Sequence, residues 1–145
     1  AFSEGWALYA EQLALEAGLA GNPLDELGIL QSELFRSVRL VVDTGMHYKR
    51  WTREEAMAYM KAKTGMSDTE VRVEIERYIV WPAQALSYKV GMIKILELRK
   101  KAQDALGEKF NIKDFHSALL DHGSPPLFIV EEKVNDMISN AKSLN

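Results

Sequence analysis

The sequence predicts an all-α protein, and three observations carry that prediction. Apolar residues recur at three- and four-residue steps, helix caps and stops punctuate the chain, and no segment sustains the period-two alternation of a half-buried strand. With 145 residues, 47% of them hydrophobic, the chain can bury a real core. It shows no repeat, no low-complexity tract and no internal linker. Residues 1–145 therefore read as a single helical domain of about seven helices.

The first helix is predicted from Ser3, its cap, to Glu16, with Gly18 as the stop and Gly21-Asn22-Pro23 as the turn. A second runs from about Asp25 to Asp43 on the apolar series Leu27, Leu30, Leu34, Val38 and Val41. Thr52 with Glu55 is a capping box that opens a third helix, stopped by Gly65. Ser67 and Glu70 repeat the device, and the fourth helix ends near Val80 because Pro82 pushes its predecessor out of the α region. The longest helix is predicted from Ala83 to Leu106, closed by Gly107. Within it Gly91 costs about 1 kcal/mol relative to alanine, which points to a close approach of another helix. Asn111 caps a short helix ending at Gly123, and Pro125-Pro126 starts the last, to about Lys142.

Composition narrows the function classes. The 18 basic residues are outnumbered by 21 acidic ones and mostly interleaved with them, which predicts no nucleic-acid partner. The absence of cysteine removes disulfides, thiolate metal sites and cysteine nucleophiles. No apolar run approaches the roughly 20 residues that cross a bilayer, so no membrane span is predicted. The chain opens on Ala1-Phe2-Ser3-Glu4 without an initiator methionine, and we expect it to start inside a longer protein. Any targeting signal of that parent would lie upstream, so its location stays open.

Three stretches hold the residues with chemical potential. In the first helix Glu4, Leu8, Glu11 and Leu15 share one stripe. A carboxylate in this Ala- and Leu-rich helix either answers a partner or simply occupies a first turn, where the dipole favours acids. His47 follows the predicted end of the second helix, where an imidazolium is favoured by the C-terminal dipole, and it reads equally as a cap. Arg77 to Lys89 gathers Arg77, Tyr78, Gln84 and Tyr88 around the break at Pro82. Tyrosine hydroxyls can donate to a developing oxyanion in a dry site, or they can merely pack a junction. His116 and His122 are weaker candidates. The chain has no His-Glu-x-x-His, no Gly-rich phosphate loop and no Gly-x-Ser-x-Gly elbow.

Ser3-Glu4-Gly5-Trp6-Ala7-Leu8-Tyr9-Ala10-Glu11 resembles the Glu-Gly-Trp-Ala-Leu-Tyr-x-Glu signature of the bacterial DUF885 family. Arg39 to His47 with Trp51 to Ala56, then Arg77-Tyr78, Gln84 to Gly91, and Phe115-His116 through Leu127 are similar to that family's later blocks, in the same order. One departure is visible: Pro82-Ala83-Gln84-Ala85 stands where the family usually reads Pro-Gly-Gln-Ala.

The family looks like a set of gluzincin-type zinc metallopeptidases, in which an upstream helix carries two histidine ligands and a general-base Glu. The resemblance implies that Glu4 is the third metal ligand and Glu11 a substrate-pocket acid. Arg77-Tyr78-Ile79-Val80 resembles the Arg-Tyr-Phe-Val stretch of converting enzymes, which implies that Tyr78 stabilises the tetrahedral intermediate with Arg77 beside it. His47, Gln84 and Tyr88 follow as pocket residues. The implied function is the C-terminal portion of a zinc-dependent peptidase that cleaves peptides or small amides. Zinc would be bound in the intact parent and not by this chain alone, because a catalytic site needs about three protein ligands. The alternative is a non-catalytic helical binding or scaffolding module. In either case we expect Glu4, Trp6 and the apolar face of the first helix to be left exposed, open to the remainder of the parent or to a second copy of the chain.

Overall fold

The computed structural model describes residues 1–143, so Leu144 and Asn145 of the expected domain lie outside the described residues. Seven α-helices account for most of these residues, and no strand occurs among them. They are α1 (Phe2–Glu16), α2 (Pro23–His47), α3 (Arg53–Thr64), α4 (Asp68–Val80), α5 (Ser87–Leu106), α6 (Ile112–Leu120) and α7 (Leu127–Ser143). Short 3-10 turns at Gln84–Leu86 and Gly107–Lys109 flank α5. The all-α prediction holds.

The local signals that set α3 and α4 are the ones the sequence advertises. Thr52 and Ser67 accept from the amides of Glu55 and Glu70, whose carboxylates reach back to the cap amides at 2.7 and 3.0 Å. At α1 the expected cap fails: Ala1 holds the cap position without a side-chain bond, and Ser3 instead pairs its Oγ with that of Ser124 at 2.9 Å. Helix α2 is longer than predicted at both ends. Asn22 caps it by accepting from the Leu24 and Asp25 amides, Pro23 fills the first position, and the helix runs through His47.

Two apolar cores form. Phe2, Leu8 and Tyr9 of α1 pack with Met92, Ile95 and Leu98 of α5, Phe115 and Leu119 of α6, and Val130, Val134 and Ile138 of α7. Val38 and Val42 of α2 pack with Ala56 and Met60 of α3, Val71, Ile75 and Tyr78 of α4, and Ala85. The seam between these cores is where α1, α2, α4 and α5 come together.

The relation of α1 to α5 is set by two glycines. A Cβ on Gly5 would lie 2.4 Å from the Cα of Gly91, and one on Gly91 would lie 2.3 Å from the carbonyl oxygen of Ala1. Both distances are impossible for real side chains, so the helices cross backbone on backbone. The close approach expected at Gly91 is thus present.

Two expectations about faces are corrected. The apolar face of α1 is not left open: it is buried on α5, and Trp6 packs against Tyr9 and His116. The exposed apolar row lies on α2, where Leu24, Leu27, Leu30 and Leu34 all project from the protein and only Val38 of the predicted series is buried. Periodicity marks a stripe as apolar but does not say which neighbour covers it.

Candidate functional site

Tyr88 stands one turn before Gly91 on α5, and Glu4 stands one residue before Gly5 on α1. The glycine crossing therefore brings these two side chains together, and the Tyr88 hydroxyl donates to the half-buried Glu4 carboxylate. Burial raises the Tyr88 pKa above its ordinary value, the bond to Glu4 and the charge of Glu4 add to the rise, and Arg39 and Arg36 oppose it. Tyr88 is a protonated donor at neutral pH.

Behind Tyr88 lies a guanidinium from α2. Arg39 is 5% exposed and faces three aromatic rings, with its Cζ 4.8 Å from the Tyr88 centroid, 5.5 Å from that of Tyr78 and 5.6 Å from that of Phe35. Gln84 joins two arginines through one oxygen: Oε1 accepts from Arg77 at 2.9 Å and from Arg39 at 3.4 Å. Arg77 also bonds Glu74 at 2.6 Å, and Glu74 accepts the Tyr78 hydroxyl at 2.5 Å.

Tyr78 is 1% exposed, and burial, followed by the bond to Glu74, pushes its pKa up. Burial acts upward on Glu74 as well, but the bonds from Arg77 and Tyr78 and the charges of Arg77 and Arg39 outweigh it and hold the carboxyl below its ordinary range. The Tyr78 hydroxyl is therefore committed to Glu74, whereas the phenol that reaches Glu4 belongs to Tyr88.

The break after α4 explains two further positions. Pro82 has no N–H, so the carbonyl of Tyr78, four residues earlier, loses its helical donor. The exposed His47 supplies one, with Nε2 3.0 Å from that oxygen. Its observed bond is to the main chain, and it is the last residue of α2, not a residue beyond the helix end. Ala83, next along, turns the chain at φ +66°, a left-handed conformation that glycine adopts without penalty. This is the position where the family pattern reads Gly, and it is why α5 begins at Ser87 and not at Ala83. Asp43, 2% exposed, holds the turn by accepting the Ala83 amide on both oxygens at 3.1 and 3.2 Å.

Glu4, Tyr88, Gln84, Arg77 and Tyr78 thus gather along one seam, with His47 at its edge through a backbone contact. Glu11 shares the helical face of Glu4, but none of the cluster's bonds reaches it, and its enclosed Oε2 has no hydrogen-bond partner. Arg39, Asp43 and Glu74 were not among the sequence candidates. A charged residue inside a helix ordinarily reads as part of the solvated face, and only the fold shows these three to be covered. His116 is structural: its Nε2 is 2.9 Å from the Tyr9 hydroxyl among the rings of Trp6 and Phe115. The groove of about 460 Å³ that His122 lines, between α6 and α7, contains none of the cluster.

An all-helical chain with two cores and a polar seam of carboxylate, tyrosines and arginines defines the class. Residues 1–134 match the family described as "Bacterial protein of unknown function (DUF885)", and the chain belongs to that family. It is similar at 53% identity and a TM-score of 0.93 to a solved structure described as "the putative lipoprotein from Colwellia psychrerythraea". That match covers 96% of this chain and 24% of the other, so the chain spans about a quarter of that relative's length. No curated protein matches it. No helix among the described residues is long and apolar enough to cross a membrane.

Proposed function

We propose that this chain supplies part of the active site of a zinc-dependent peptidase, with Glu4 as one metal ligand and Tyr88 as the hydrogen-bond donor beside it. The observation that carries the reading is the meeting of Glu4 and Tyr88 across the α1–α5 crossing. It explains why a carboxylate stands in an apolar helix whose neighbours are otherwise buried.

The described residues contain no group of three His, Cys, Asp or Glu that could hold a metal. Glu4 fits as one donor of a set completed by other parts of the parent, since zinc takes carboxylate oxygen readily and a catalytic site needs about three protein ligands. Bound zinc would supply Lewis-acid polarisation of a peptide carbonyl and lower the pKa of its water to about 7. This chain's own part is to orient and to donate. Tyr88 holds its proton and presents it where negative charge develops on a substrate oxygen. The role that family resemblance implies for Tyr78 passes to Tyr88, because the Tyr78 hydroxyl is buried on Glu74. Arg77, Gln84 and Glu74 position the pair through Arg39, and His47 holds the end of α4.

The test is bound zinc per chain in the full-length protein, wild type beside Glu4→Gln. About one zinc in the wild type with a clear loss in the variant supports the reading. Equal zinc in both removes Glu4 from the ligand set. No zinc in either favours a non-catalytic helical module.

A further inference from the structure

The seam holds more positive charge than its carboxylates match. Glu33 is taken by Lys89, and Glu74 by Arg77. Arg36 and Arg39 have no carboxylate within ion-pair distance among the described residues. Arg36 uses one nitrogen on Ser32, at 3.1 Å to the carbonyl oxygen and 2.5 Å to the hydroxyl. Arg39 makes a single long hydrogen bond, 3.4 Å to Gln84. The Nε of each is enclosed without a partner.

A guanidinium carries five N–H donors in a rigid fork, and a covered charge that lacks a counter-ion is costly. Aromatic faces offset part of that cost for Arg39, but a ring face offers no in-plane acceptor for the fork. An anion is the partner these two residues lack.

Its place is defined by Tyr88. The Arg36 and Arg39 Cζ atoms lie 5.2 and 4.8 Å from the Tyr88 ring centroid, and the hydroxyl of the same ring is on Glu4. An anion on the arginines would therefore sit about one residue of extended chain, roughly 3.5 Å along a peptide, from a group held at Glu4. Its charge is limited as well. With Lys89–Glu33 and Arg77–Glu74 each neutral, the two arginines and Glu4 leave a single positive charge. A carboxylate balances that charge, and a phosphate dianion exceeds it.

We propose that Arg36 and Arg39 form the receptor for a carboxylate of the substrate, seated against Tyr88 beside the group that reacts at Glu4. Arg36, half-buried, stands at the outer side of this receptor, and Arg39 lies beneath it. The carboxylate belongs either to the C-terminus of a peptide or to an acidic side chain. The placement relative to a reacting group rests on the peptidase reading, but the carboxylate receptor does not.

Calorimetric titration of the metal-free full-length protein separates the two, because zinc content plays no part in the readout. Three probes suffice: N-acetyl-alanyl-alanine, its C-terminal amide, and N-acetyl-alanyl-glutamate as the C-terminal amide. One or both acids are expected to bind at least about tenfold more tightly than the neutral amide, as a charge-assisted hydrogen bond implies. A preference for the first acid alone assigns the C-terminal carboxylate, and one for the second alone assigns an acidic side chain. Arg36→Gln, at the half-buried position, is expected to abolish the preference while circular dichroism stays unchanged. Arg39→Gln should do the same where it folds. Equal binding of all three probes, no binding of any at millimolar concentration, or a preference that survives Arg36→Gln overturns the proposal.

Discussion

The backbones of Gly5 and Gly91 touch, and their neighbours Glu4 and Tyr88 meet because of it. Gly91→Ala would drive a methyl group into the carbonyl of Ala1 and the Cα of Gly5, with backbone on every side and no flexible side chain to yield. We expect a loss of about 2–3 kcal/mol in urea unfolding, at the upper end for overpacking. The Tyr88 phenol should also separate from Glu4, seen as a fall in its titration midpoint by ultraviolet absorbance.

Ala83 offers the opposite case. Its left-handed conformation costs an L-residue roughly 1–2 kcal/mol, and glycine gives back part of the gain as unfolded-state entropy. Ala83→Gly is therefore expected to stabilise by up to about 1 kcal/mol. Asp43→Ala, which strands the Ala83 amide, should destabilise by about 1–3 kcal/mol. Thermal denaturation of the two variants reads both signs.

The two tyrosines should separate by phenotype. Tyr78→Phe removes a buried bond to a charged carboxylate and is expected to cost about 2 kcal/mol of stability, with a smaller effect on turnover. Tyr88→Phe should leave stability nearly unchanged and, in the proposed reaction, lower kcat about 100-fold. Unfolding and peptide-hydrolysis assays on the same pair decide between the two tyrosines as the donor.

The pH dependence of stability has a defined sign. Burial, helped by Arg99, lowers the His116 pKa below the ordinary 6.5. In the unfolded chain His116 takes up its proton at higher pH, so its contribution is fully present above 6.5 and is lost as pH falls through the folded pKa. Glu74, held below the ordinary 4.5, adds a second loss under more acid conditions, present above 4.5 and lost as pH falls through its own folded pKa. Urea midpoints measured from pH 7 downward should fall in two stages. His116→Phe should flatten the first and Glu74→Gln the second.

How much of this was legible in the sequence depended on the range of the interaction. Caps such as Thr52 with Glu55 and Ser67 with Glu70 act within one turn, and α3 and α4 are placed correctly from them. The start of α5 was missed because the left-handed turn at Ala83 is enforced by Asp43, forty residues away. The row from Leu24 to Leu34 was legible as a stripe but not as an uncovered one. Within the site, Gly91 signalled a close crossing, and family resemblance pointed to Glu4, Tyr78 and Tyr88. That Tyr88, not Tyr78, reaches Glu4 is a matter of which helix crosses which, and no local pattern encodes it. Arg39 looked like an ordinary helical cation until three rings were seen to close over it.

The seam between the two cores imposes an order on events. Glu4 and Tyr88 come from one side, while Arg39, Gln84, Arg77 and Glu74 come from the other, so neither half carries a working fragment of the site. During folding, the site is assembled only in the last step, when the halves dock. A small rotation of one half on the other would disperse it while both interiors stay dry, so the docking angle acts as a gain control on whatever chemistry the seam performs.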